Sequence, residues 1–211
     1  MKALKGVLSE IPRRQFSDLF LFGFTLAELI ALVLMVPSFT LVDWIYVLQH
    51  LVVFGIALTR RPPAAQDRSL PTYLAVAVAC TYPYAQVIYL HWITGYVTWP
   101  EGGLILVTLS AFFSFASLLA LGTLFGFRPA LRGLATRGPY ALVRHPMYLS
   151  YLISDIGYNL QESNFGTVAL VVVGWASLIY RIRAEERILS QGREWRAYVR
   201  SVHYRLLPGV W

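Results

Sequence analysis

The feature that most limits what this chain can fold into is a succession of six apolar runs, at residues 19–36, 41–58, 71–92, 103–127, 147–160 and 165–182. A helix that crosses a bilayer needs about 20 mostly apolar residues, with roughly 17 to 25 tolerated. The run at 147–160 is short for a span, so it is expected to be tilted or re-entrant, or to form a hairpin with the last run through 161–164. Composition agrees with the runs: 57% of residues are hydrophobic and 14% charged, where soluble domains carry about 25% charge. An ordinary water-soluble globule is excluded, and so is a disordered chain, which needs low hydrophobicity.

Charge placement tests the spans. Eighteen Lys and Arg stand against eleven Asp and Glu, a net charge of +7. The basic residues fall before the first run, between the second and third, between the fourth and fifth, and from Arg181 onward. The other three connections, 37–40, 93–102 and 161–164, contain none. The positive-inside bias places basic connections in the cytoplasm. The expected fold is therefore an all-α integral membrane protein of about six transmembrane helices, with both termini inside. Nucleic acid is not an expected partner, because the basic residues mark helix ends and do not alternate with aromatics on a platform. The first run lacks a small-residue cleavage site and is expected to remain in the mature protein. A lone Cys80 excludes a disulfide framework and any multi-cysteine metal site, and no metal is expected.

Polar chemistry is concentrated at residues 128–148 and 181–211. In the first segment Gly138-Pro139 signals a turn, and Pro146 suits the first position of a helix, where its missing N–H costs nothing. The N–H groups of Met147 and Tyr148, with Arg144 and His145 beside them, then make an anion site. A Pro-capped helix anchored by interfacial Arg, His and Tyr accounts for the same residues. In the second segment Arg181 and Glu185 share a helix face at i,i+4 spacing. They form either a solvated pair worth about 0.3–0.5 kcal/mol or a clamp for the acidic and ammonium groups of a ligand. Beyond Gly192, Trp195, Tyr198, Val199 and Val202 recur against Arg193, Arg196 and Arg200, the pattern of an amphipathic C-terminal helix lying on the membrane.

Four strings in order, L-x-T-x-G-x-Y at Leu134 to Tyr140, R-H-P-x-Y at Arg144 to Tyr148, R-x-x-x-E-E at Arg181 to Glu186 and G-x-E-W-x-x-Y at Gly192 to Tyr198, resemble the isoprenylcysteine carboxyl methyltransferase family of integral membrane enzymes. The YRLLPGVW ending resembles bacterial members. The resemblance covers residues 128–211 and implies S-adenosyl-L-methionine as methyl donor. It divides the chain into a four-helix transmembrane region, 1–127, and a cytoplasm-facing cofactor-binding catalytic region, 128–211, that includes the last two membrane helices. It further implies that Leu134, Ala135, Tyr140, His145, Pro146, Met147 and Tyr148 contact the cofactor. Glu185 falls on the carboxylate that also contacts it, and Arg181 on the arginine that faces the methyl acceptor. A departure is Ser150, where a glycine is common; a small residue keeps helix packing close.

The acceptor is not carried over from the resemblance; it is expected to be lipidic or otherwise apolar, and Arg181 favours a carboxylate such as a prenylcysteine carboxyl. A carboxylate is already ionised at neutral pH and needs no base, whereas an amine or thiol acceptor would call on His145. Phospholipid N-methylation and thiol S-methylation stay open on the residues alone. Membrane sterol or steroid reductases share a similar cytoplasmic half and a Y-R-x-x-P ending but use NADPH, whose 2′-phosphate paired acids would repel. A non-catalytic scaffold or small transporter leaves the motifs unexplained.

Among the remaining residues, an acid inside an apolar run is a functional candidate. Asp155, about two turns beyond Tyr148 on the same face, is expected either to line an acceptor tunnel or to pack against Asn159 or a neighbouring helix. Glu28 is read as a buried hydrogen-bonding residue. His50, His91 and His203 lack partners at metal-ligand spacing, and Trp44, Trp92 and Trp99 read as an interfacial belt.

Overall fold

The computed structural model describes residues 23–27, 29–30, 34, 41–60, 62–94, 101–161 and 163–211. Most of the first apolar run, Glu28, Trp99 and the side chains of His91 and Trp92 lie outside the described residues.

Helices α1 (Leu41–Thr59), α2 (Leu70–Thr94), α3 (Glu101–Leu121), α4 (Pro146–Gln161) and α5 (Phe165–Leu189) follow the second to sixth apolar runs, and a short α6 (Trp195–Ser201) comes after them. Four of the starts have a local cause. Asp67 accepts hydrogen bonds from the Ser69 N–H at 2.8 Å and the Thr72 hydroxyl at 2.9 Å before α2. Glu101 puts a carboxylate in the first turn of α3, favourable against the helix dipole. Asn164 caps α5 through the N–H groups of Gly166 and Thr167, with Thr167 returning the bond in a capping box. Pro146 opens α4, as its fixed φ favours.

Helix α5 runs past its apolar run to Leu189. Twenty-five residues span about 38 Å at 1.5 Å per residue, against a hydrocarbon core of about 30 Å, so one end must project. Among the described residues, two helices are long and apolar enough to cross a membrane, Glu101–Leu124 and Phe165–Leu189; Trp44–Ala57 is apolar but shorter. One departure from an all-helical fold is a two-residue antiparallel pair, β1 (Ala65–Gln66) with β2 (Ala130–Leu131), in register Ala65 to Leu131 and Gln66 to Ala130. It ties the α1–α2 connection to the segment after α3.

The pairing of helices corrects the expected hairpin. Although α4 and α5 are consecutive, they touch at few points; α4 lies along α3, and α5 lies along α2. Close approach explains the choice. Gly157 of α4 sits so near α3 that a Cβ there would meet Val107 at 2.8 Å and the Gly103 carbonyl at 3.0 Å. Gly174 of α5 lies against the Tyr82 ring of α2, and a Cβ would stand 2.6 Å from it. The Ser177 hydroxyl also donates to the Ala75 carbonyl at 2.7 Å. Helix α1 joins the α3/α4 pair through Ile45, Val107 and Ala111 and a Gln49 bond to the Ala111 carbonyl at 2.9 Å. The result is two helix groups with a seam between α4 and α5.

Replacing Gly174 by Leu should force α5 away from Tyr82, at a cost of about 1–3 kcal/mol. Thermal unfolding in detergent should show a lowered midpoint for Gly174→Leu. Gly55→Ala, where a Cβ meets nothing within 4 Å, should leave the midpoint unchanged.

Candidate functional site

The site lies where the seam reaches its Arg181 end. Gly138 adopts φ +59, a left-handed conformation that glycine takes at no steric cost, and turns the chain into a short 3-10 helix, Gly138–Ala141. Tyr140 is buried there, and its carbonyl accepts a bond from the Tyr198 hydroxyl of α6 at 2.8 Å. Burial pushes the Tyr140 phenol pKa up, with the Glu185 charge adding to it.

Next, the C-terminal segment lies against the R-H-P turn. The Arg144 N–H donates to the Tyr204 carbonyl and the His145 N–H to that of Arg205, both at 2.9 Å. Side chains complete the closure on Glu186. Its Oε1 accepts from Arg144 at 2.7 Å and its Oε2 from Arg205 at 2.8 Å. The Arg144 guanidinium also reaches the His203 carbonyl at 2.7 Å, and Arg205 lies over the Trp211 ring at 5.1 Å. Glu186 is thus held by two guanidinium groups and takes a positioning part.

Glu185, one residue earlier, points to the seam. The Tyr148 hydroxyl donates to it, and the His145 Nδ1 stands 3.7 Å from its Oε2. The His145 ring, 5% exposed, lies between the two acids, with Nε2 at 3.4 Å from Glu186 Oε1. Burial opposes a charge on His145, but the bonds and attraction of Glu185 and Glu186 outweigh it and hold the imidazole pKa above its ordinary value. Arg181 is buried and does not pair with Glu185. It donates to the Phe127 carbonyl at 2.9 Å and lies 5.1 Å over the Tyr148 ring, a cation–π arrangement. Its Nε is buried without a hydrogen-bond partner among the described residues.

The structure therefore gathers His145, Tyr148, Arg181 and Glu185. It does not bring Leu134, Ala135 or Met147 against them. Leu134 lines two adjoining clefts of about 370 and 340 Å³ that also share Glu194, and Ala135 follows it, half-buried. Met147 turns the other way, into a core with Ile56, Ala57, Leu118 and Phe125. The anion cradle expected at the start of α4 is smaller than anticipated. Tyr148 N–H is taken by the His145 carbonyl at 3.1 Å, and Arg144 is committed to Glu186, so Pro146 acts as a helix start with the bond pattern of a tight turn. Asp155 is buried on α4 and accepts from Tyr82 at 3.0 Å and Trp175 at 2.8 Å. Tyr82, Trp175, Phe127, Arg205 and the residues facing Arg144 were not legible as partners, since each contact joins elements far apart in sequence. Among the described residues no group of three His, Cys, Asp or Glu is placed to hold a metal.

With this geometry in place, the comparisons bear on it directly. Residues 101–192 match the phospholipid methyltransferase family model. That segment runs from the start of α3 past the end of α5, so it contains the R-H-P turn and both glutamates. Over 73 residues the chain is 41% identical to a probable protein-S-isoprenylcysteine O-methyltransferase of Oryza sativa subsp. indica, an alignment covering 33% of this chain and 38% of that protein. It is 40% identical over 73 residues to protein-S-isoprenylcysteine O-methyltransferase A of Arabidopsis thaliana, covering 33% and 37%. The chain spans less than two-fifths of the length of these curated relatives. The resemblance read from the motifs is borne out over this family segment.

Glu186 is half-buried and holds two guanidinium groups, so Glu186→Ala should lower the thermal midpoint and release the C-terminal segment. Hydrogen exchange should quicken at the Arg144 and His145 amides, whose protection comes from Tyr204 and Arg205.

Proposed function

We propose that this protein is an S-adenosyl-L-methionine-dependent methyltransferase acting on the carboxylate of a lipidic acceptor, such as a prenylcysteine carboxyl, at the cytoplasmic face of a membrane. The observation that carries this reading is the convergence of His145, Tyr148, Arg181 and Glu185 in the segment that matches methyltransferases. The full arrangement of six spans with both termini inside belongs to the same proposal and rests on the one-sided basic connections.

The residues suit the donor. S-adenosyl-L-methionine supplies a methyl group on a cationic sulfur and carries an ammonium, a carboxylate and an adenine. Glu185, with 22% of its side chain exposed, is placed to take the ammonium. The Tyr148 ring, stacked on His145 with Arg181 over it, and the buried Tyr140 would brace the site, and the clefts beside Leu134 are of a size to admit a small molecule, although neither is lined by the four clustered residues. Leu134, Ala135, Pro146 and Met147 would then act as walls and as support for the turn.

The acceptor class follows from His145 and Arg181. In-line displacement at a sulfonium needs two groups held at about 3–3.5 Å and little water. Glu185 and Glu186 raise the His145 pKa above its ordinary value, which favours the imidazolium, the form that cannot take a proton from an amine or thiol. A carboxylate needs no such step. The open Nε of Arg181 is a donor for it, in a position that Phe127 and Tyr148 keep fixed.

Calorimetry in detergent should detect S-adenosyl-L-methionine binding, lost in Glu185→Ala, with no NADPH binding; the reverse pattern would contradict the reading. Because the folded pKa of His145 lies above its unfolded value, its contribution is complete below about pH 6.5 and is lost as pH rises through the folded value. Methyl transfer to a carboxylate, which needs no deprotonated imidazole, should by contrast stay level across neutrality. A tenfold rise per pH unit across neutrality would instead indicate a general base.

A further inference from the structure

Away from the Glu185 cluster, three arginines gather where α1 and α3 finish and α2 begins. Arg60 follows the last residue of α1, and Arg128 and Arg132 lie in the segment after α3. The β1–β2 pair holds these stretches together, helped by bonds from the Ala64 N–H to the Leu131 carbonyl at 2.8 Å and from the Asp67 N–H to that of Pro129 at 3.1 Å. Arg128 is oriented by Gln66, whose Oε1 accepts from it at 3.2 Å, and by the hydroxyl and ring of Tyr73 in the first turn of α2. Arg132 is 9% exposed. Its guanidinium lies so near Gly126 that a Cβ there would stand 2.8 Å from Nη1.

The three groups repel one another. Burial, then the charges of Arg132 and Arg128, lower the Arg60 pKa to about 10, and burial and the Arg128 charge lower that of Arg132. At neutral pH Arg60 and Arg132 still carry their charges. Asp67, the acid of the α1–α2 connection, gives its carboxylate to the Ser69 N–H and the Thr72 hydroxyl. Topology does not account for this arrangement. The positive-inside bias needs basic residues on one side of the bilayer, and it is met equally by arginines spread apart in water. A bound anion offsets the repulsion, and guanidinium groups match the oxygens of a phosphate.

Placement in the fold selects the anion. Helix ends lie at the level of lipid headgroups, and the exposed Leu70 and Leu74 share one face of α2 at i,i+4 spacing beside Tyr73. We propose that Arg60, Arg128 and Arg132 form a site for the phosphate of an anionic membrane phospholipid, whose acyl chains run against Leu70 and Leu74. A zwitterionic headgroup brings its own cation against the guanidinium groups and binds less well. The site rests on the membrane placement proposed above and is independent of the methyl-transfer reading.

The test is thermal unfolding of the full-length protein in mixed micelles of a neutral detergent with increasing phosphatidylglycerol or phosphatidylcholine. A ligand that binds only the folded state raises the midpoint, so phosphatidylglycerol should raise it and phosphatidylcholine should not. Loss of one charged hydrogen bond to the phosphate in Arg60→Gln should call for about tenfold more phosphatidylglycerol to reach the same rise. Gly126→Ala, which keeps every charge and displaces the Arg132 guanidinium, should weaken the response too. Arg183→Gln, an equal loss of charge at an exposed position of α5, should respond as the unaltered protein does. An equal rise with both lipids, an unaltered response in Arg60→Gln, a loss as large in Arg183→Gln, or the full rise with inorganic phosphate alone would each overturn the site as one for an anionic lipid. Absence of S-adenosyl-L-methionine binding with this lipid response intact would contradict the methyltransferase reading alone.

Discussion

The carboxylate of Glu186 organises the functional half of the molecule. Side chains from three separate elements meet on it: Arg144 from the loop before α4, Glu186 itself from the end of α5, and Arg205 from the C-terminal segment. A charge at that depth is tolerated only when paired and hydrogen-bonded. The need to satisfy it brings the C-terminal segment back across the R-H-P turn, where Tyr204 and Arg205 also accept the backbone bonds of Arg144 and His145. Because Glu186 absorbs the arginines, its neighbour Glu185 is left to Tyr148 and His145. Two adjacent identical side chains thus have different tasks, one positioning the chain and the other facing the seam.

The seam itself is a consequence of how small residues pair the helices. Gly157 draws α4 onto α3, and Gly166 and Gly174 admit Tyr89 and Tyr82 of α2 against α5. Each pair packs well, and between α4 and α5 a further core of Tyr148, Leu178, Ile182 and Leu206, with Leu149, Leu152 and Trp175 against it, fills the interval. Asp155 is satisfied there by Tyr82 and Trp175, which join the two helix groups through one carboxylate oxygen.

Much of this was legible in the residues. The described helices start within two positions of the second to sixth apolar runs, because length and hydropathy dominate helix placement in such a chain, although α3 stops at Leu121 and α5 runs on to Leu189. The family strings singled out His145, Tyr148, Arg181 and Glu185, which the fold does gather. The partners were not legible. An i,i+4 spacing suggested that Arg181 would pair with Glu185, yet tertiary contacts with Phe127 and Tyr148 take the guanidinium instead. The α4–α5 hairpin inferred from the short 161–164 connection failed for a related reason: adjacency in sequence constrains the turn, whereas glycine-mediated close approach decides which helices pack.

The central claim is methyl transfer to a carboxylate, and the chemistry of the product tests it most directly. Membranes containing the protein, incubated with methyl-labelled S-adenosyl-L-methionine and a lipidic carboxylic acid, should incorporate label that mild alkali releases as volatile methanol, the mark of a methyl ester. Incorporation of label that resists alkali would point to an amine or thioether product and contradict the carboxylate assignment, and no incorporation by the folded protein would contradict the methyltransferase reading itself.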